Sequence, residues 1–535
     1  MQDRLTGGAT PRLAEGWTID GQVGGSPLIG ANGVRLGPDG RVWVAQAMGS
    51  QISAVDVATG AIETIVPQDG DIVSPDDLAF DSGGNMYATE IMAGRVSMRA
   101  PNGTSRVLTD ELVAPNGVTV HGDRVFIDEF RPGGRMFELY PDGRAPRLIA
   151  DNLMTPNALC LGPDGYIYYP QVMLGEIWRV PVEGGEPERF VGGLYGPISV
   201  KVDADGNVIS PSAVTGEIWK FDPVSRSPTR IGALAPGIDN FTFSKDGELI
   251  VSHFIDGGLT FVGAEGATRT LAPGAMLGPW ALAAAPDGGV YVADGMSLAH
   301  VDAGGRLTRV SRAMNDPAFP GFIFGVAAGA DGALFLANAA GVVSAFKPHT
   351  ESKVLAADAG QVLGMTALPD GGVAACDAAG GRLLRIGADG AETLAKGLGR
   401  PTGIAPGPRG GFFVADAQGG RVLHVAGGEA TVVASGLVEP HGLAMWNGML
   451  LAVDRGAKSL VAIDPGDGRV SPIALNLPIG PDAGVTPHAL PGIPGIAPWA
   501  IVPFAGLAVS ADGAVYVACD GDRSVLKLRP GRAQA

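Results

Sequence analysis

Cysteine is scarce in this chain of 535 residues, with only Cys160, Cys376 and Cys519. Each falls inside a predicted strand, and so sparse and odd a set excludes a disulfide framework and predicts free thiols. No stretch approaches about 18 consecutive apolar residues, which excludes a bilayer-spanning helix. The opening residues, MQDRLTGGATPRLAEG, show no apolar targeting core, so a soluble, cytoplasmic protein is expected. Basic residues are also short: 38 Lys and Arg stand against 55 Asp and Glu, a net charge of −17. That balance argues against nucleic acid or an anionic membrane as partner, and its plainest role is solubility. Helical periodicity is missing too, since no long segment repeats its apolar residues at three and four.

Glycine and proline, by contrast, are abundant, at 83 and 41 residues, and they fall in a pattern. They sit in turns such as GPDG, DADG, SKDG, APDG and GADG, between short strands of alternating polarity. Pro115–Arg179 shows the unit twice: PNGVTVHGDRVFIDEF and TPNALCLGPDGYIYYPQ, each followed by two further strands. With the Asn of that unit as marker, equivalent positions are Asn32, Asp76, Asn116, Asn157, Ile198, Asp239, Trp280, Phe324, Leu363, Thr402, His441 and Ala505. Twelve copies at a period of about 40 residues predict an all-β chain of twelve four-stranded propeller blades. The Gly-His and Trp-Asp signature of WD40 blades is absent, which favours looser, NHL-like blades. Two six-bladed rings accommodate twelve blades better than one very large ring.

The marker spacing suggests where to divide them. Steps are 40 to 41 residues from Asp76 to Trp280 and 39 from Phe324 to His441, but 44 at Asn32–Asp76 and Trp280–Phe324. Read as crossings between rings, the two long steps predict an inserted propeller at 68–311 and a discontinuous one from 1–67 plus 312–535. In that arrangement Pro11–Trp17 supplies the outer strand missing from the last blade and removes a sheet edge. A contiguous division near residue 274 is the alternative. Leu477–Pro503, rich in Pro and Gly, interrupts the eleventh unit and reads as a lid, a clamp or a spacer between rings.

In a propeller the first residue of each inner strand and the last of the next strand share one face. The expected inserted ring thereby gathers Asp76, Asn116, Asn157, Ile198, Asp239 and Trp280 with Glu90, Glu129, Gln171, Ser212, His253 and Asp294. Carboxylate and carboxamide oxygens around a rigid opening suit a hard cation, and Asp76, Asn116, Asn157 and Asp239 are the candidate ligands for Ca²⁺ or another divalent ion. Each could instead cap its own turn. His253 is the candidate general base, because imidazole titrates near neutrality, with Glu90 and Glu129 as alternatives. The other ring repeats Asp at its strand ends (Asp377, Asp416, Asp454, Asp520), which reads as structural. His441, without an evident acidic partner, reads as a turn or core residue. Trp280 and Met276 read as an apolar wall beside the polar centre or as core.

These motifs resemble the superfamily of paraoxonases, SMP-30/gluconolactonases and strictosidine-synthase-like proteins. DNFTFSKDGELIVSHFIDGG at Asp239–Gly258, SPDDL at Ser74–Leu78, and the PNGV and PNAL motifs at Asn116 and Asn157 carry the resemblance. It implies a calcium ion that polarises the carbonyl of a lactone or ester, hence a hydrolase acting on a small-molecule substrate. Two positions depart from that pattern. Ile198 stands where the resemblance would place a metal-binding Asn, and Asn116 where it would place a catalytic His. A metal-dependent lyase or isomerase on the same residues, and a non-catalytic binding propeller, are the competing readings.

Overall fold

A computed structural model describes residues 10–408, 410–494 and 500–531. Its strands form eleven four-stranded antiparallel sheets and one of five strands, each blade running from an inner to an outer strand. The alternating sequence dictates this arrangement, because successive side chains of a strand point to opposite faces and both faces are covered by neighbouring blades. The turn chemistry behaves as expected. In GPDG at 37–40, Gly37 donates its N–H to Arg41 O at 2.8 Å, and Asp39 Oδ1 accepts the Arg41 N–H. Gly40 takes φ of +80°, a conformation in which a Cβ would be strained.

The chain divides into two compact units, and the division differs from the inserted-ring expectation. One unit holds Ser26–Ala275 with Val485–Ala500; the other holds Met1–Gly25, Met276–Gly484 and Ile501–Ala535. The boundaries 68–311 and 1–67 plus 312–535 are therefore corrected, and the blade contacts give the reason. The Asn32 blade packs Val34, Val42 and Val44 against Ile250, Leu259 and Phe261 of the Asp239 blade. Ser252 Oγ donates to Asn32 O at 2.6 Å, and Leu36 N donates to Thr242 Oγ1 at 3.2 Å. The first ring thus runs from the Asn32 blade to the Asp239 blade. The Trp280 blade instead shares a core with the last one, through Val290, Val292 and Tyr516, and Gly506 N donates to Trp280 O. Both long steps are ordinary connections inside a ring.

The N-terminal segment does complete the last blade, one strand later than anticipated. Trp17–Val23 pairs with Ser524–Pro530, while Arg12–Leu13 adds a fifth strand beside Val470–Leu475. Within Leu477–Pro503, Leu477 and Ile479 join the core of the last two blades of the second ring. His488 Nε2 lies 2.8 Å from Gly70 O, and Ile493 packs on Ala47, Ile91 and Ala114 of the first ring. The lid or clamp reading also covers 495–499, which lie outside the described residues. All three cysteines are free. No helix among the described residues is long and apolar enough to cross a membrane.

Candidate functional site

Antiparallel pairing places the start of each inner strand beside the end of its second strand. Pro75 faces Glu90, Pro115 faces Glu129 and Ile238 faces His253. The first ring's mouth therefore collects Asn32, Asp76, Asn116, Asn157, Ile198 and Asp239, backed by Gln46, Glu90, Glu129, Gln171, Ser212 and His253. Trp280, Met276 and Asp294 belong to the other ring.

The strand-end residues turn out to hold loops. Gln46 accepts the N–H of Ile29, Glu90 that of Val73 at 2.6 Å, Glu129 that of Val113 and Gln171 that of Met154. Glu90 also binds Arg95, and Glu129 is gripped by Arg131 and Arg135. His253 departs from this pattern, since both ring nitrogens face oxygens: Nε2 lies 3.3 Å from Ala235 O and Nδ1 3.1 Å from Asp256 Oδ1. In the second ring, Asp294 accepts from Leu277 and Gly278, Asp377 from Gln361, Asp416 from Arg400 and Asp454 from Val438. In most blades a buried N–H entering the blade needs an acceptor and this position supplies it, whereas Ser212, His253 and Asn338 meet a loop carbonyl. Glu90 and Glu129, expected as alternative general bases, are held by loop N–H groups and arginines, and His253, the candidate base, by a loop carbonyl and Asp256. Burial raises the Glu90 carboxyl against its three donors. At Glu129 burial also pushes upward, but Arg135, Val113 N–H and Arg131 prevail and the group titrates low.

The inner-strand starts are different. Asp76 is buried, and every influence on it pushes the same way. Burial first, then the charges of Asp239, Asp77 and Asp128, hold its carboxyl well above the usual carboxylate range. Asp239 is pushed up to about 7 by burial and then by Asp77, with an Asn32 hydrogen bond and Lys201 opposing. Asn116 Oδ1 is buried without a hydrogen-bond partner. Asn157 Oδ1 accepts its neighbour Ala158 N–H at 2.6 Å, and Ile198 offers no donor atom. Among the described residues no three His, Cys, Asp or Glu side chains cluster as a ready-made metal cage. A mixed set of carboxylates and a free carboxamide oxygen nonetheless fits a hard cation, whose charge would relieve the Asp76–Asp239 repulsion.

Below the mouth lies a polar channel that the sequence reading missed. Asp77 accepts from Leu78 N, Val118 N and Asn240 Nδ2, and Arg35 reaches within 3.6 Å of it. Arg35 also donates to the carbonyls of Leu78 and Val118. Asp128 is fully buried, with one oxygen on Gly117 N and the other unpartnered. Burial outweighs that bond and lifts its carboxyl to about 8. Lys201 is the sole cationic residue of the inner strand Lys201–Val202, an anomaly visible in the string PISVKVDADG.

In the second ring, His441 has an acidic partner after all. It is fully buried, stacked on Phe504, and Nε2 lies 3.5 Å from Glu439 Oε1. Nδ1 accepts the Ala505 N–H, which leaves the ring proton on Nε2, facing Glu439. The His441 contact, and then Arg455, pull the Glu439 carboxyl down to about 2, although burial opposes them; burial holds His441 itself below its ordinary value. Residues two apart on an extended chain share a face, so the Glu-Pro-His spacing was the available signal.

No family model and no curated protein sequence matches the chain. Among solved structures, a virginiamycin B lyase from Staphylococcus aureus aligns at 16% identity and a TM-score of 0.39. That alignment covers 52% of this chain and 95% of the lyase. A gluconolactonase from Xanthomonas campestris aligns at 16% identity and TM-score 0.38, over 50% of this chain and 98% of that one. A chain of a nidogen–laminin complex gives 19% and 0.36, over 40% and 84%. The chain is a double six-bladed propeller. Its neighbours share the six-bladed fold, and likeness at this level carries no argument about activity.

Proposed function

We propose that the first ring binds a divalent cation, calcium above others, at Asp76, Asp239, Asn116 and Asn157, and hydrolyses a lactone or ester there. The observation that carries this reading is a pair of buried, mutually repelling carboxylates beside an unpartnered carboxamide oxygen. When bound, such an ion supplies a Lewis acid for a carbonyl oxygen. The chain's own contribution is a rigid oxygen ring. Plasma mass spectrometry on dialysed wild type, Asp76→Asn and Asn116→Ala tests the site. One calcium in the wild type, lost in both variants along with turnover on a lactone and ester panel, is expected. No metal in any of them overturns the reading and leaves a binding propeller.

A further inference from the structure

The inner strand of each blade gives the channel wall two residues below its mouth residue, one and three positions later, because alternate residues share a face. In the first ring the nearer layer includes Asp77, Ser199 and Asn240, and the deeper one Arg35 and Lys201. Lys201 is 4% exposed, and its Nζ has no hydrogen-bond partner. Its titratable neighbours are Arg35, Asp77, Cys160 and Asp239, on the first, second, fourth and sixth blades. Ser199, two residues earlier in the chain, has an unpartnered buried hydroxyl as well.

Neither of the acids acting on Lys201, Asp77 and Asp239, bonds its Nζ. Asp77 already accepts from Leu78 N, Val118 N, Asn240 Nδ2 and the Arg35 ion pair. Two cations therefore share one layer of a narrow channel, and one is a buried ammonium without an acceptor. Burying an unpaired charge is strongly unfavourable, so a partner is expected. The absent partner must accept hydrogen bonds, carry negative charge and be small.

We propose that the first ring's channel holds a small monovalent anion, a halide or a formate-sized carboxylate, against Lys201 Nζ, Ser199 Oγ and Arg35. This site is separate from the cation site at the mouth, and its occupancy is read without any activity. Crystals of the full chain soaked in sodium bromide provide the direct test by anomalous scattering. A bromide peak in contact with Lys201 Nζ is expected, and its absence from Lys201→Met crystals confirms the assignment. In solution, chloride should raise the unfolding midpoint of the wild type above that in sodium isethionate of equal ionic strength. The chloride concentration giving half this rise should increase about tenfold in Ser199→Ala, and the rise should vanish in Lys201→Met. Sodium formate in the soak that displaces bromide identifies a carboxylate as the preferred occupant; bromide that persists identifies a halide. Water alone on Lys201 Nζ, or an equal chloride effect in wild type and Lys201→Met, overturns the proposal.

Discussion

The two rings are built from one repeated blade, yet they close differently. In the first, all six blades are continuous in sequence, and the seam between first and last is a side-chain core of Val34, Val42, Val44, Ile250, Leu259 and Phe261. In the second, the last blade is assembled from both ends of the chain, with Trp17–Val23 hydrogen-bonded to Ser524–Pro530. The first ring relies on packing, the second also on a backbone ladder. Phe261→Ala removes a fully buried aromatic from the packed seam and should cost the first ring about 3–5 kcal/mol. Urea unfolding with pulse proteolysis, the fragments mapped by mass spectrometry, would resolve the two units. Equal loss in both would break the comparison.

The rings agree, by contrast, in how they anchor their loops. If strand-end residues are loop anchors in both, Glu90→Gln and Asp416→Asn should destabilise their own rings by similar amounts. Each weakens charge-assisted bonds to a backbone N–H and an arginine, a loss of about 1.5–3 kcal/mol. Neither should change metal content. Calcium lost in Glu90→Gln would return that residue to the site.

They differ again beneath the mouth. The residue after each mouth position is Gly33, Asp77, Gly117, Ala158, Ser199 or Asn240 in the first ring, but Ala281, Gly325, Gly364, Gly403, Gly442 or Gly506 in the second. A Cβ on Gly403 would lie 2.0 Å from His441 O, and one on Gly506 2.3 Å from Trp280 O. Bare backbone thus lets those strands close on a cavity of about 30 Å³, lined by Leu282, Val326 and Met365 among others. Pockets for small molecules usually have about 300–1,000 Å³, so that channel is a core. Gly403→Ala should cost about 1–3 kcal/mol through overpacking, whereas Ala158→Gly in the first ring should cost about 0.5–1 kcal/mol. Thermal unfolding of the two variants checks the contrast.

The blade pattern was legible in the sequence because period-two alternation and turn residues are local signals. Ring closure was not, because it depends on which blade meets which, and step length carries no such information. The 44-residue step at Asn32–Asp76 comes from a longer loop around Pro67–Ser74 and marks no crossing. Candidate ligands Asp76 and Asp239 were legible from their position in the unit. The anchoring of Glu90 and Glu129 on loop N–H groups, and of His253 on a loop carbonyl, was not, since their hydrogen-bond partners lie some seventeen residues away on a turn that sequence alone leaves unplaced. Lys201 was visible as an odd charge in an inner strand, but the Arg35 and Asp77 that give it meaning come from distant blades.

The last contrast is a difference of sign in pH dependence. In the first ring, burial lifts Asp128 to about 8, whereas a free Asp titrates near 3.9. Between those values the folded ring holds a proton that the unfolded chain has released, so stability falls as pH rises from about 4 towards 8. Asp239, raised to about 7, acts in the same sense. In the second ring, Glu439 is drawn down to about 2 by His441 and Arg455. Its stabilisation is present above the unfolded value near 4.3 and disappears as pH falls towards 2. Rising pH should therefore loosen one ring, and falling pH the other. Urea midpoints of the two units between pH 3 and 9 should slope in opposite directions. Asp128→Asn should flatten the first ring's slope alone, and Glu439→Gln the second's. A common slope, or one unchanged by either substitution, would mean that the two channels do not differ in the way their charges are held.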